Sequence, residues 1–136
     1  MRRDVFLDTS GLLALVNERD SLHNRAVPVL AELRSEAAPI VTSDWVLVEL
    51  LSGASARALR TRAAEWCRSL VGSPDVEVVS ADREGFLSAL DLFESRPDKD
   101  WSLVDCSSIL ICKQRGIRRV FTHDRHFRQA GMQVLL

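Results

Sequence analysis

The chain is short of single-sign charge, of cysteine and of long apolar runs. Its 136 residues carry 18 Lys plus Arg against 19 Asp plus Glu. That balance excludes the global basic field that marks a nucleic-acid-binding surface, so any contact with RNA or DNA has to be local. Lysine is almost missing: Lys99 and Lys113 stand alone among arginines, and Arg is the better side chain for bidentate phosphate contacts. The three cysteines, Cys67, Cys106 and Cys112, are odd in number and lack zinc-site spacing, which suits buried thiols in a reducing compartment. No apolar run reaches the length of a bilayer span. The opening "MRRDVFLDTSGLLALV" has the outline of a secretory leader, but Asp4 and Asp8 interrupt it and no small-residue cleavage site follows. A cytoplasmic protein without a membrane span is expected.

What is present reads as short apolar runs alternating with helix-patterned stretches. Hydrophobic residues make up 46% of the chain, enough for one continuous core, and a single domain over residues 1–136 is expected. "VFLD" predicts a strand ending in an acid, and "TSGLLALVN" the helix after it. From Ser21 to about Ala37, Leu22, Ala26, Val29, Leu30 and Leu33 recur at helical spacing, with Pro28 as a kink or boundary. A strand "PIVTS" precedes the helix "WVLVELLSG", for which Asp44 is the expected N-cap and Gly53 the stop. "ARALRTRAAEWCRSLVG" predicts an amphipathic helix, "VEVVS" a strand, "ADREGFLSALDLFES" a helix and "RPDKDW" a loop. A helix after Trp101, a strand "RRVFTHD", a short turn or helix "RHFRQAG" and a last strand "MQVLL" complete the chain. This alternation predicts an α/β/α sandwich whose central sheet has about five short strands, mostly parallel. Repeats, linkers and low-complexity segments are missing.

Certain acids stand where acids are expensive. Asp105 interrupts the apolar "SLVDCSSILIC", and Glu49 interrupts "WVLVELLSG", so both are expected to be buried, a costly state for a lone carboxylate. Asp8 and Asp124 end strands, and open α/β sheets bind ligands at the carboxyl ends of their strands. Each acid has a plainer reading when taken singly: a helix-dipole partner for Asp105, an N-cap for Asp8 or Asp124, a solvent-facing residue for Glu49. Together they predict one crowded cleft. Mutual repulsion in such a cleft is relieved by a hard divalent cation, Mg2+ or Mn2+, with oxygen ligands. A carboxylate-held Mg2+ keeps waters and shares substrate phosphates, which points to phosphodiester or phosphoryl chemistry.

"VFLDTSGLLAL", the acid in "VLVELLSG", "DWSLVDCSS" and "VFTHDRHF" resemble, in order and spacing, the acidic motifs of PIN-domain ribonucleases, in particular the VapC-type toxins of type II toxin–antitoxin systems. The resemblance spans nearly the whole chain. It implies a PIN-like fold and a Mg2+- or Mn2+-dependent RNA endonuclease, with Asp8, Glu49, Asp105 and Asp124 as its catalytic, metal-binding quartet. It also implies that Thr9 or Ser10, and Thr122, tune the site or touch phosphate through their hydroxyls, and that Asp100 is an accessory acid. The implied reaction is attack of a metal-activated water on an RNA phosphodiester, without a covalent intermediate. The implied partners are RNA, an antitoxin protein and a second copy of the chain, with the helices from Trp45 to Leu70 as candidate contact surface.

Around the Asp124 turn, Arg118, Arg119, Arg125 and Arg128 are candidate RNA-backbone contacts, with solvated surface charge as the plainer alternative. Trp101 is the tryptophan best placed to stack on a base, although core packing is the commoner use. His123 and His126 lack a third nearby His or Cys, so surface or RNA-contact roles are expected rather than a transition-metal site. His23 is expected exposed on its helix. A small Mg-dependent phosphatase of the haloacid-dehalogenase type needs a second acid two residues after Asp8, where Ser10 stands. A phospho-accepting receiver domain needs paired acids after the first strand and a late-strand Lys, and has neither here. The serious rival is a non-cleaving PIN-like RNA- or protein-binding module, whose acidic set would normally be broken; this one is intact.

Overall fold

A computed structural model describes residues 3–136, and the elements within them alternate as the apolar pattern requires. They run β1 (Val5–Leu7), α1 (Thr9–Val16), α2 (His23–Ser35), β2 (Ile40–Ser43), α3 (Asp44–Gly53), α4 (Arg57–Gly72), β3 (Val76–Val79), α5 (Arg83–Ser95), α6 (Leu103–Arg115), β4 (Arg119–Phe121), α7 (His126–Gln129) and β5 (Gln133–Val134). The sheet has five strands in the order β3-β2-β1-β4-β5, and every neighbouring pair is parallel. The expected mostly parallel sheet is therefore wholly parallel among the described residues, because every strand returns through at least one helix. β1 is buried at all three positions, as befits a central strand covered on both faces of an α/β/α sandwich.

The strand order positions the site. The chain steps outward from β1 to β2 and β3, then crosses back to lay β4 on the other side of β1. The direction of winding reverses between β1 and β4, and such a switch point is where parallel sheets open a crevice beyond their carboxyl ends. Phe6, Phe121, Phe127, Leu12, Leu50 and Ile109 are among the fully buried side chains beneath it. α1 comes unusually close to β4 at Gly11, where an added Cβ would lie 2.2 Å from the Phe121 carbonyl oxygen. Cys67, Cys106 and Cys112 are buried free thiols.

Several local expectations are corrected. Ser43 rather than Asp44 caps α3, its Oγ accepting the Val46 N–H at 3.2 Å, because Ser43 has the extended backbone a cap needs. Asp44 instead accepts the Ala81 N–H through Oδ2 at 3.0 Å. Pro28 lies inside α2 rather than at its boundary. His23 is half-buried, its Nδ1 2.8 Å from the Ala14 carbonyl, and so ties α2 to α1. Among the described residues no helix is long and apolar enough to cross a membrane.

Candidate metal centre

Asp8 is the first residue past β1, Asp124 follows β4 across a short turn, and Asp105 is the third residue of α6. Asp105 is 7% exposed. It is answered first by its own helix: Ser102 Oγ accepts the Asp105 N–H at 3.0 Å, and Asp105 Oδ2 accepts the Ser102 N–H at 3.1 Å, a reciprocal capping box. The second answer comes from α7, where His126 Nδ1 lies 2.9 Å from the same oxygen. His126 Nδ1 is also 3.1 Å from Asp124 Oδ1, and that oxygen accepts the His126 backbone N–H at 2.9 Å. Asp105, Asp124 and His126 each offer one donor atom, and these atoms all lie within 4.8 Å of one another.

Asp8 is 3% exposed. Burial first, and then the nearby charges of Asp105 and Glu49, push its pKa from an ordinary 3.8 up to about 7, against the opposing hydrogen bonds from Thr122 and the Thr9 backbone. The Thr122 hydroxyl donates to Asp8 Oδ2 at 2.7 Å. Having spent its proton there, Thr122 Oγ1 accepts from the Asp124 N–H at 3.0 Å and from the Ser10 hydroxyl at 2.7 Å. Ser10 Oγ in turn accepts the His123 N–H at 3.0 Å. One run of hydroxyls thus fixes the end of β1 to the turn after β4.

The remaining sequence-derived candidates divide. Glu49 is half-buried rather than buried, since α3 turns Val48 (59% exposed) and Leu51 (39% exposed) outward. Its charge reaches Asp8, but its carboxylate lies outside the tight donor group. Asp100 is exposed and likewise outside that group. Thr122 is fully buried, so of its two suggested roles it holds Asp8 and does not reach a substrate phosphate. Thr9 Oγ1 is also shut away from solvent, without a hydrogen-bond partner among the described residues. Trp101 cannot stack on a base: it is 5% exposed, Arg96 lies over its ring at 5.1 Å, and its Nε1–H donates to Gln129 at 3.1 Å. Arg119 is at the far end of β4, tied to Glu36 at 3.2 Å and to the Arg3 carbonyl at 2.6 Å, and Arg118 precedes it. Both therefore sit away from the crevice. Arg125 and Arg128 are exposed and, with Ser10, His123, Asp124 and Leu136, line an open depression of about 490 Å³ beside the acids.

The expected surface or RNA-contact role of His126 is corrected: its ring lies against Asp105 and Asp124 inside the donor group. The available signal is the spacing in "DRH": an Asp side chain often accepts the backbone N–H two residues on, and that turn bends His126 back over Asp124. His123 is exposed and takes no part in the donor group.

The donor set fits a divalent cation. Two carboxylates and one imidazole nitrogen converge with no Lys or Arg side chain in the group, and burial beside these acids holds the Asp8 proton toward neutrality. A pH dependence follows. Asp8 binds a proton more tightly folded than unfolded, so this contribution to stability is complete below about pH 4 and is lost as pH rises toward 7. The loss is about 4 kcal/mol at most. In thermal melts with EDTA, Asp8→Asn should gain on the wild type between pH 5 and pH 8, and added Mg2+ should narrow the gap. A pH-independent gap would mean that Asp8 is not desolvated.

The PIN domain family model matches residues 5–132. The 23S rRNA-specific endonuclease VapC20 of Mycobacterium tuberculosis, in strains CDC 1551 / Oshkosh and H37Rv, is 30% identical over 128 residues, covering 93% of this chain and 94% of that protein. The crystal structure of M. tuberculosis VapC20, described as a sarcin-ricin loop cleaving toxin, superposes with a TM-score of 0.85 at 25% identity, over 95% of this chain and 96% of that one. FitAcB from Neisseria gonorrhoeae shares the fold, with a TM-score of 0.68 at 19% identity over 97% and 96% of the chains. With the family match running almost from end to end, this chain belongs to the PIN-domain family.

Proposed function

We propose that this protein is a divalent-metal-dependent RNA endonuclease, the toxin of a toxin–antitoxin pair, with Asp8, Glu49, Asp105 and Asp124 as its metal-binding acids. The observation that supports the reading is the donor group of Asp105, Asp124 and His126 beside the β1–β4 switch point, with buried Asp8 close enough to feel the charge of Asp105. A non-cleaving binding module has no use for so costly an arrangement. A bound Mg2+ or Mn2+ supplies an activated water and neutralises charge on the phosphodiester.

The chain's own residues do the rest. Asp105 is oriented by its capping box, Asp124 by the His126 backbone N–H, and Asp8 by Thr122. Holding the acids in fixed positions before substrate arrives lowers the reorganisation needed during reaction. Arg125 and Arg128 border the depression beside Asp124 and hold RNA phosphates there. The relatives named for 23S rRNA cleavage make a sarcin-ricin stem-loop the first RNA to try. An antitoxin or a second copy of the chain would cover the exposed apolar side chains Val48 and Leu51 of α3.

The reading is tested by incubating purified protein with a panel of structured and single-stranded RNAs, the sarcin-ricin stem-loop included, in Mg2+, Mn2+ or EDTA. Cuts that require metal support it. Binding without cutting, in protein that is folded and free of antitoxin, would favour the module. The arginines make a separate prediction. Arg125→Ala with Arg128→Ala should weaken RNA binding on all sequences and lower the slope of log affinity against log salt by about 2, roughly one for each phosphate no longer neutralised. Both positions are exposed, so melting should hardly move. An unchanged salt slope would return them to ordinary surface charge.

A further inference from the structure

His126 joins the acids of the site from α7, with its Nδ1 within hydrogen-bonding distance of both Asp105 and Asp124. We infer that His126 supplies the metal site with a nitrogen ligand and thereby makes the site select Mn2+ over Mg2+. The inference rests on the reading of Asp105 and Asp124 as metal-holding acids, and adds to it the donor that sets which ion is held.

Geometry is the first support. Neighbouring donors around an octahedral ion with bonds of about 2.1 Å stand about 3.0 Å apart. His126 Nδ1 lies 2.9 Å from Asp105 Oδ2 and 3.1 Å from Asp124 Oδ1. The neutral Nδ1–H tautomer can donate to these oxygens, and with the proton on Nε2 instead the Nδ1 lone pair and the two carboxylate oxygens face one place that a metal ion can fill. The ring is also held where it is. Phe127, the next residue, is fully buried, and Gln129 accepts the Trp101 Nε1–H, which moors α7 to the segment leading into α6. Asp124 Oδ1 takes the His126 backbone N–H, so the acid and the ring share one rigid turn. The buried Trp101 thus has a positioning use that base stacking would not allow.

Chemistry is the second support. Mg2+ sheds water reluctantly and favours oxygen donors, whereas imidazole suits first-row transition ions, among which Mn2+ still accepts a mainly carboxylate site. Adding one nitrogen to a carboxylate site shifts preference toward Mn2+ without turning the site into a thiolate or multi-histidine zinc centre.

The experiment loads the full chain with Mn2+ and reads nitrogen coupling by electron spin-echo envelope modulation, with natural-abundance and 15N-histidine protein, beside calorimetric titrations with Mn2+ and Mg2+. Wild type and His123→Gln are expected to give histidine nitrogen modulation, and His126→Gln to lose it, while the Mn2+-over-Mg2+ affinity ratio falls about tenfold or more. Bound Mn2+ with no nitrogen modulation in the wild type overturns the inference and leaves the carboxylate site standing. Absence of Mn2+ binding overturns both. Because the wild-type and His123→Gln spectra decide the matter, instability of His126→Gln would not rescue the idea.

Discussion

Asp105→Asn is expected to lower metal-dependent RNA cleavage by about 10²–10³-fold while leaving the protein folded. A metal ion contributes several kcal/mol of transition-state charge stabilisation, and about 3–4 kcal/mol lost corresponds to that range at 1.36 kcal/mol per tenfold. The substitution is clean because the local bonds survive it. The Asn Oδ1 still accepts the Ser102 N–H, and Ser102 Oγ still accepts the N–H of residue 105, so the capping box of α6 persists. Loss of the charge costs about 0.3–1 kcal/mol of interaction with the helix N-terminus. It also removes one of the charges that raise the Asp8 pKa, which offsets part of that cost. Cleavage rates in Mg2+ and Mn2+, measured beside thermal melts, separate the two effects. A variant that cuts at the wild-type rate would take Asp105 out of the metal set, and a variant that does not fold would mean that the carboxylate serves α6 more than the site.

Gly11→Ala is expected to destabilise the protein by about 3 kcal/mol or more, a drop in melting temperature on the order of 10 °C. Local preference predicts the reverse, because Ala in a helix is favoured over Gly by about 1 kcal/mol. The tertiary contact decides the sign. The new Cβ would meet the Phe121 carbonyl oxygen at 2.2 Å and Phe121 Cδ1 at 2.4 Å. Backbone cannot step aside as a flexible side chain can, and the same Phe121 carbonyl accepts the Asp8 N–H at 3.2 Å. Pushing α1 off β4 would also part Ser10 from Thr122, whose hydroxyls lie 2.7 Å apart and support Asp8. Metal-dependent cleavage should therefore fall along with stability, even below the variant's melting point. A neutral or stabilising effect in calorimetry would show that α1 can shift without consequence.

The places where local pattern misleads share one cause. Apolar sequence neighbours predict a buried Glu49, yet Val48 and Leu51 are turned to the surface, so apolar neighbours do not imply a covered face. Adjacency to the Asp105 segment makes Trp101 a stacking candidate, but its ring is closed by Arg96 and Gln129. Arg118 and Arg119 are near Asp124 along the chain, but an extended strand of about 3.3 Å per residue carries them to the other end of the sheet. His126 has no third His or Cys near it in sequence, and its partner Asp105 is 21 residues away.

The sequence by itself determined the alternation of strand and helix and the parallel character of the sheet, and it singled out the acids Asp8, Glu49, Asp105 and Asp124. Those features are written in local signals: apolar period, helix-ending glycines, and carboxylates set where burial or a strand end makes them costly. The tertiary structure alone decided that β1 and β4 lie side by side, that Thr122 and Ser10 support Asp8 across that seam, that Gly11 must lack a side chain, and that His126 completes the donor group. The physical reason is that each of these joins residues distant in the chain, whose separations are set by how strands order and helices pack, and no local preference encodes that order.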